Sequence, residues 1–500
     1  MDYKKLQNGS DVRGIALPGV EDEIPNLTET ECTALTYAFI YWLSKKAGVP
    51  ADSLKISIGQ DSRLSGLPLK QSALSAMISC GVTALDCGLA STPAMFMSTV
   101  FPEFNCDGAI MITASHLPFN RNGFKYFDRD GGLNKEDISQ IISYAENGDK
   151  PEQKNKTEAV DACLMSAYCN HLKEMIKKEV GHKADFDKPL AGLKIAVDAG
   201  NGAGGFYADD ILAPLGADVG GSQYLDPDGT FPNHQPNPEN KEAMKSISAA
   251  VLTNKADLGL IFDTDVDRSA AVDKHGREIS RNGIVAMASA LIADSHPGTT
   301  VVTDSITSDQ LSLFLTEVLG LKHHRFKRGY KNVINESIRL NDEGVDSQLA
   351  IETSGHAAYK ENYFLDDGAY LATKIVIKAA KLLAAGKTLD SLIAELKEPA
   401  EAREIRLPIN AADFSAFADD VLLELERYVK TQPGMTIVRP NFEGIRISFN
   451  EENGDGWCLL RKSLHDPLMP LNIESNVKGG PDMIIESLKP VLSDKFGFEI

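Results

Sequence analysis

Cys106-Asp107-Gly108-Ala109-Ile110-Met111-Ile112-Thr113-Ala114-Ser115-His116-Leu117-Pro118-Phe119-Asn120-Arg121-Asn122-Gly123-Phe124-Lys125 begins as an apolar, β-branched run and stops abruptly in small polar residues. That pattern predicts a buried strand delivering Ser115 to a loop at its C-terminal edge, which is where open α/β sheets hold ligands. Pro118, Asn120, Asn122 and Gly123 are turn formers, so the chain is expected to fold back sharply and return Lys125 close to the serine. A serine hydroxyl is a weak nucleophile that needs a neighbouring base or cation. His116 and Lys125 are candidates for that role. A Ser-His pair by itself is most simply a plain turn.

Working outward, residues 28–46 place apolar side chains at Leu35, Ala38, Phe39, Trp42 and Leu43 and are followed by Gly48, which predicts a helix with a glycine C-cap. A strand over 54–59 runs into Gln60-Asp61-Ser62-Arg63, then come a helix ending near Gly81 and a strand over 82–88. This alternation implies βαβ units and a mostly parallel sheet for residues 1–158. Ser10-Asp11-Val12-Arg13-Gly14-Ile15 opens the chain as a short polar turn, in which Arg13 taken alone is a surface charge. Residues 147–156, with Gly148 and Pro151, look like a loosely ordered connection.

After a helix over 163–178, a strand over 193–198 runs into Ala199-Gly200-Asn201-Gly202-Ala203-Gly204-Gly205. The glycines invite a dinucleotide-binding reading, but the acidic ribose partner is missing from its expected place, and a tight strand-to-helix turn explains them at least as well. Four prolines between 226 and 238 exclude regular structure there and imply a long ordered loop. A strand over 256–262 then ends in Asp263-Thr264-Asp265-Val266-Asp267-Arg268. A third αβ unit starts near Glu278, with a helix over 284–293, a strand over 300–303, the segment 327–333, a strand-loop over 348–356 and a helix near 369–385. From 401 short alternating strands mix with helices over 414–430 and 482–489, the latter stopped by Pro490, which predicts a small α+β domain with an antiparallel sheet. The expected fold class is therefore α/β: three similar mixed α/β domains (1–158, 159–277, 278–399) and a C-terminal α+β domain (400–500).

A chain of 500 residues exceeds one hydrophobic core, and its 43% apolar and 24% charged content is that of a globular protein. Its formal charge of -20 argues against nonspecific binding to nucleic acid or to an anionic membrane. No apolar run is long enough to cross a bilayer, Met1 to Gln7 lack an apolar signal core, and the seven cysteines show no CxxC pair. Reduced thiols and a cytoplasmic location are expected.

Asp263, Asp265 and Asp267 lie at i, i+2 and i+4 past an apolar strand, so an extended or looping backbone turns all three to one side. Their mutual repulsion is costly unless a cation sits among them, and hard oxygen ligands suit Mg²⁺. The other readings are a solvated acidic turn or a calcium loop, although the glycine and glutamate of an EF-hand are missing. Glu352-Thr353-Ser354-Gly355-His356 offers a carboxylate, a hydroxyl and an imidazole suited to sugar hydroxyls. Arg461-Lys462-Ser463 follows another apolar strand and offers a guanidinium and a hydroxyl suited to phosphate.

Together these clusters resemble the α-D-phosphohexomutases, the family of phosphomannomutases, phosphoglucomutases and phosphoglucosamine mutases. Thr113-Ala114-Ser115-His116 with Asn122-Gly123-Phe124-Lys125 is similar to that family's phosphoserine loop, and Asp263 to Arg268 to its metal loop. Glu352 to His356 resembles its sugar-binding loop, and Arg461-Lys462-Ser463 the start of its phosphate-binding loop. Asp11 to Gly14, Gly59 to Arg63, Asn233-His234-Gln235-Pro236-Asn237-Pro238 and Gly329-Tyr330-Lys331 also match, so the resemblance spans nearly the whole chain.

The resemblance implies four domains around a central cleft, the last a mobile cap. It implies interconversion of hexose 6-phosphate and hexose 1-phosphate, of mannose or glucose, through a phosphorylated Ser115 and a hexose bisphosphate. Mg²⁺ would be held by Ser115, Asp263, Asp265 and Asp267, with a hexose 1,6-bisphosphate as activator. Arg268 would offset charge, and Arg13, His116 and Lys125 would move protons. Lys331, Glu352, Ser354, His356, Arg461, Ser463 and His465 would hold the phosphosugar. No nucleic-acid or membrane partner is implied, and the assembly is a monomer or homodimer. Two places depart from the family pattern: Leu117 stands where an asparagine is usual, and Leu464-His465 replaces Gly-Thr in the last loop. The second departure keeps open a paralogue that binds or dephosphorylates a phosphosugar, or a mutase for another sugar.

Overall fold

A computed structural model of the chain describes residues 2–154, 158–463 and 466–496. It divides into two compact units: residues 1–291 with 354–391, and 292–353 with 392–500. The first unit is built around a mixed sheet. Its strands lie in the order Gln7–Asn8, Asp11–Ile15, Arg121–Asp128, Gly108–Ile112, Lys55–Gln60, Thr83–Leu89 and Val160–Asp161. Only the last four are mutually parallel; the N-terminal strands and Arg121–Asp128 run antiparallel.

This corrects three expectations. The opening polar segment is a strand, Asp11–Ile15, with Arg13 opposite Gly123. It fits there because Gly123 has no side chain: a Cβ at that position would lie 2.0 Å from the Val12 carbonyl oxygen. Asn122 and Gly123, read as turn formers, belong to the Arg121–Asp128 strand, so the reversal is confined to residues 115–120. The connection before residue 155 is also held in place, with Lys154 N bonded to Ser79 O at 3.1 Å and its Nζ to Asp52 at 2.8 Å.

The helix Glu29–Ala47 covers one face of this sheet. Thr28 and Glu31 form a capping box, and Gly48 ends the helix at φ 67°. Its Phe39 and Leu43 lie so near Gly108 that a Cβ there would be 3.1 and 2.8 Å away. Phe39 also stacks on Tyr126 with centroids 4.6 Å apart. Each such fully buried side chain contributes about 1.5–3 kcal/mol by leaving water. A second sheet in this unit orders Glu278–Ile279, Ser269–Asp273, Leu258–Phe262 and Ile195–Asp198, with only the last pair parallel.

In the second unit Thr300–Thr303 is flanked in parallel by Lys322–Arg325 and Ser347–Ile351. The C-terminal sheet, Glu401–Pro408, Leu468–Ser475, Gly456–Leu460, Ile445–Phe449 and Met435–Ile437, is wholly antiparallel, as expected. Arg446 ties it to residues 305–309. Its guanidinium lies 3.6 Å over the Trp457 ring and donates to Ser305 O, Thr307 O and Asp309 Oδ1 at 2.9–3.1 Å. Pro490 does not end the last helix, which spans Gly480–Phe496. The proline gives up one hydrogen bond, while Ile484, Leu488, Val491 and Leu492 bury a continuous face across it.

The glycine-rich segment 199–205 packs closely: a Cβ on Gly205 would lie 2.3 Å from the Leu225 carbonyl oxygen, which is backbone and cannot move aside. Gly205→Ala is expected to destabilise the first unit by about 1–3 kcal/mol through overpacking, read as a lower urea midpoint at unchanged slope.

Candidate active site

The three aspartates lie in the loop joining Leu258–Phe262 to Ser269–Asp273, a hairpin whose last pair is Phe262 with Ser269. Val266 sits at φ 65°, a strained conformation for a β-branched residue. Neighbours hold it there. Thr92 N bonds Asp265 O and Ala203 N bonds Thr264 O, both at 2.8 Å, and Gly368 N bonds Val266 O at 3.1 Å. Glycines allow this approach, since a Cβ on Gly202, Gly355 or Gly368 would lie 2.5–2.7 Å from backbone of residues 264–269. The segment 199–205 is therefore a close-packed turn against the aspartate loop, which accounts for its glycines without a dinucleotide.

Ser115 is also held at positive φ, 51°. Its N–H donates to Thr113 Oγ1 at 2.9 Å, and Thr113 Oγ1 in turn donates to Asp61 Oδ2 at 2.7 Å. Arg63, wholly buried, pairs with Asp61 at 3.2 Å and donates to the carbonyls of Leu117, Pro118 and Arg121 at 2.7–3.0 Å and to that of Ser115. Burial, outweighing the pull of Arg63, raises the Asp61 carboxyl above its ordinary range. One guanidinium thus fixes the reversal that presents the serine. In the sequence, Arg63's role is signalled only by a lone arginine just after a buried strand.

The two loops meet at the serine hydroxyl. Ser115 Oγ donates to Asp263 Oδ2 at 2.9 Å and accepts from Arg268 at 2.8 Å, while Arg268 Nε donates to the same Asp263 oxygen at 3.0 Å. Lys125, a candidate base or cation for the serine, reaches the aspartate loop. It pairs with Asp265 at 3.1 Å and with Asp267. Arg13 bridges Asp11 at 2.7 Å and the Thr113 carbonyl. His116 Nδ1 faces Arg268, which must donate, so the ring is neutral with its proton on Nε2. Burial first, then the Arg268 charge, lowers its pKa to about 2.

Asp263, Asp265 and Asp267 offer ligand oxygens within 4.8 Å of one another and are almost wholly buried. Burial and the Asp267 charge push Asp263 well up. Burial also acts against the charge of Asp267, but Lys125, His356 and Arg268 together hold it below its ordinary value. Asp265 Oδ1 and Asp267 Oδ1 have no hydrogen-bond partner among the described residues. Buried carboxylate oxygens left unpaired in this way fit a hard divalent cation. His356 stands beside this loop, paired with Asp366 at 2.5 Å and 3.9 Å from Asp267. Burial lowers its pKa, but the two carboxylates prevail and raise it to about 9. Ser354 is buried in the same unit.

In the second unit Glu352 accepts from Gly329 N at 2.6 Å, at the start of the helix Tyr330–Asp342 whose first turn carries Lys331. Burial and the charge of Glu352 raise Asp304 to about 7. Arg461 is buried, 3.9 Å from Glu443, and its Nε has no hydrogen-bond partner among the described residues. Ser463 Oγ accepts from Asp466 N at 3.2 Å. Leu464 and His465 lie outside the described residues.

A serine on a strained turn, facing buried aspartates and an arginine, is an arrangement suited to phosphoryl transfer, which depends on positioning and electrostatics. Residues 4–152, 166–276 and 281–399 match the models of phosphoglucomutase/phosphomannomutase alpha/beta/alpha domains I, II and III. The chain belongs to the phosphoglucomutase/phosphomannomutase family. It is 27% identical over 440 residues to a phosphoglucomutase of Neisseria meningitidis serogroup A, covering 88% of each chain. It is also 27% identical over 450 residues to a phosphomannomutase/phosphoglucomutase of Pseudomonas aeruginosa, covering 89% of each. It shares its fold with a solved phosphoglucomutase/phosphomannomutase family protein from Burkholderia thailandensis, with TM-score 0.79 at 23% identity, covering 99% of this chain and 98% of that one.

Replacing Arg63 by lysine keeps one charge but loses the fork that serves four carbonyls and Asp61. Arg63→Lys is expected to cost about 3 kcal/mol in stability, seen by thermal unfolding, because buried acceptors are left unpaired.

His234 is held by Asp198, with Nε2 3.0 and 3.1 Å from its two oxygens and Nδ1 3.0 Å from Gln235 O. Burial works against its charge, but the Asp198 hydrogen bond and charge raise its pKa overall. A raised histidine contributes stability that is complete below its unfolded value of about 6.5 and is lost as pH climbs through the folded value. The melting-temperature advantage of the parent over His234→Gln should therefore be greatest below pH 6.5 and shrink at alkaline pH.

Proposed function

We propose that this chain is a phosphosugar mutase that interconverts hexose 6-phosphate and hexose 1-phosphate, with Ser115 as the phosphoryl carrier. The observation that carries this reading is Ser115 Oγ lying between Asp263 Oδ2 at 2.9 Å and Arg268 at 2.8 Å. Asp263, Asp265, Asp267 and the phosphorylated Ser115 would hold Mg²⁺, which supplies positive charge to the transferring group. In the forward half-reaction a sugar hydroxyl oxygen bonds to phosphorus as the bond from phosphorus to Ser115 Oγ breaks, and the hydroxyl proton leaves. Arg268 offsets the charge that develops on Ser115 Oγ. The bisphosphate turns over and returns its other phosphoryl group to Ser115, restoring the carrier.

Lys125 and Arg13 are the candidates for moving the sugar proton. His116, held neutral, is better suited to hydrogen bonding. Glu352, Ser354 and His356 are assigned to the sugar hydroxyls, and Lys331, Arg461, Ser463 and His465 to the distal phosphate. A guanidinium buried without a full set of acceptors is poised for an anion. The four segments 1–158, 159–277, 278–399 and 400–500 serve respectively the phosphoserine, metal, sugar and phosphate loops. A hexose 1,6-bisphosphate rephosphorylates Ser115 whenever it is lost. No described helix is long and apolar enough to cross a membrane, and none of the cysteines is in a disulfide. We assign the activity to the cytoplasm, in a monomer or homodimer.

The test is a coupled assay with Mg²⁺ and a trace of glucose 1,6-bisphosphate, offering glucose 1-phosphate and mannose 1-phosphate in parallel. Turnover is expected for the parent and a loss of at least about 10³-fold for Ser115→Ala, because the covalent carrier is gone. Equal rates in parent and variant would sink the reading, and the ratio of the two sugar rates names the preferred substrate.

A further inference from the structure

The loop over residues 226–239 is ordered although it has no regular structure, and its contacts converge on the two loops of the candidate site. Asp198, at the end of the Ile195–Asp198 strand, accepts from Gly200 N at 2.9 Å, from Gln223 Nε2 at 2.7 Å and from His234. That carboxylate is fixed from several sides, so His234 is an anchor. Pro236 then sits on Gly200, where a Cβ would be 2.7 Å from the proline Cβ. Beyond the anchor, Gln235 Nε2 donates to the His116 carbonyl at 2.7 Å, and its amide is oriented by Asn240, which donates to Gln235 Oε1 at 3.3 Å. Asn237 Oδ1 accepts from Arg268 at 3.4 Å and from Glu239 N at 2.9 Å. Phe231 covers the Arg63 guanidinium, 5.2 Å from ring centroid to Cζ.

We propose that His234, Gln235 and Asn237 are positioning residues for phosphoryl transfer: anchored on Asp198, they fix the His116 peptide next to Ser115 and the far end of the Arg268 guanidinium. The physical need is specific. Ser115 occupies a strained φ and the reaction depends on where its oxygen stands, so a free carbonyl at the next residue would let the turn relax. Arg63 donates to the Ser115, Leu117, Pro118 and Arg121 carbonyls, and Gln235 Nε2 donates to the His116 carbonyl, to which Arg63 does not. The Gln235 bond is exposed to solvent, so removing it changes global stability little. Its effect should therefore appear in the rate.

This inference rests on Ser115 being the phosphoryl carrier, and the experiment separates the two. Hydrogen exchange of the peptide containing residues 114–119 is followed in the parent, Gln235→Ala, His234→Ala and His234→Gln. The same four proteins are then assayed for mutase turnover. Faster exchange in that peptide is expected for Gln235→Ala and His234→Ala, with kcat lower by roughly tenfold and KM within about twofold. His234→Gln, which keeps a donor toward Asp198, is expected to recover most of both. Unchanged exchange in the peptide overturns the proposal, as do an unchanged kcat or a His234→Gln protein no better than His234→Ala. A parent without turnover would count against the mutase reading alone, because the exchange data still decide the positioning.

Discussion

Three carboxylates buried within 4.8 Å of one another are the constraint on which the first unit depends. Unpaired buried charge is among the most expensive features a fold can contain. Here Lys125 comes from the Arg121–Asp128 strand and Arg268 from the end of the aspartate loop itself to meet it, and His356 adds a cation of its own. Three cationic side chains are thus drawn to one point, and the backbone elements that carry them are fixed as a consequence. The same balance leaves Asp265 and Asp267 each with an oxygen lacking a hydrogen-bond partner among the described residues.

Much of this was legible in the chain because the signals were local. The apolar run ending at Ser115, the glycine cap after the helix Glu29–Ala47, and the alternating aspartates depend on residues within a few positions of one another. What escaped reading depends on partners far away. Arg13 reads as a surface charge until Gly123 gives its strand a place to pair. Arg63 stands just after a strand with no visible role until four carbonyls from 115–121 converge on it. Pro490 reads as a stop because propensity is local, whereas the apolar face that carries the helix through it is a tertiary property.

The glycines teach the same lesson from the other side. Gly200, Gly202, Gly205, Gly355 and Gly368 all border backbone or side chains too near for a Cβ. Their spacing in sequence carries no single motif, since each answers to a different neighbour. In the second unit Arg446 does with one side chain what the glycines do by absence. It joins the antiparallel sheet to residues 305–309 through Trp457 and three oxygens.

The first unit includes residues 354–391, although the chain leaves that unit at residue 291. The strained aspartate loop is complete only when Gly355 and Gly368 arrive against it, roughly one hundred residues after it leaves the ribosome. Until then the aspartate loop has Lys125 and Arg268 but lacks His356 and the backbone packing of Gly355 and Gly368, while the residues between are committed to another core. Completion of the aspartate loop is thereby a late event in synthesis, and a chain that ends before residue 368 lacks the backbone that packs against it.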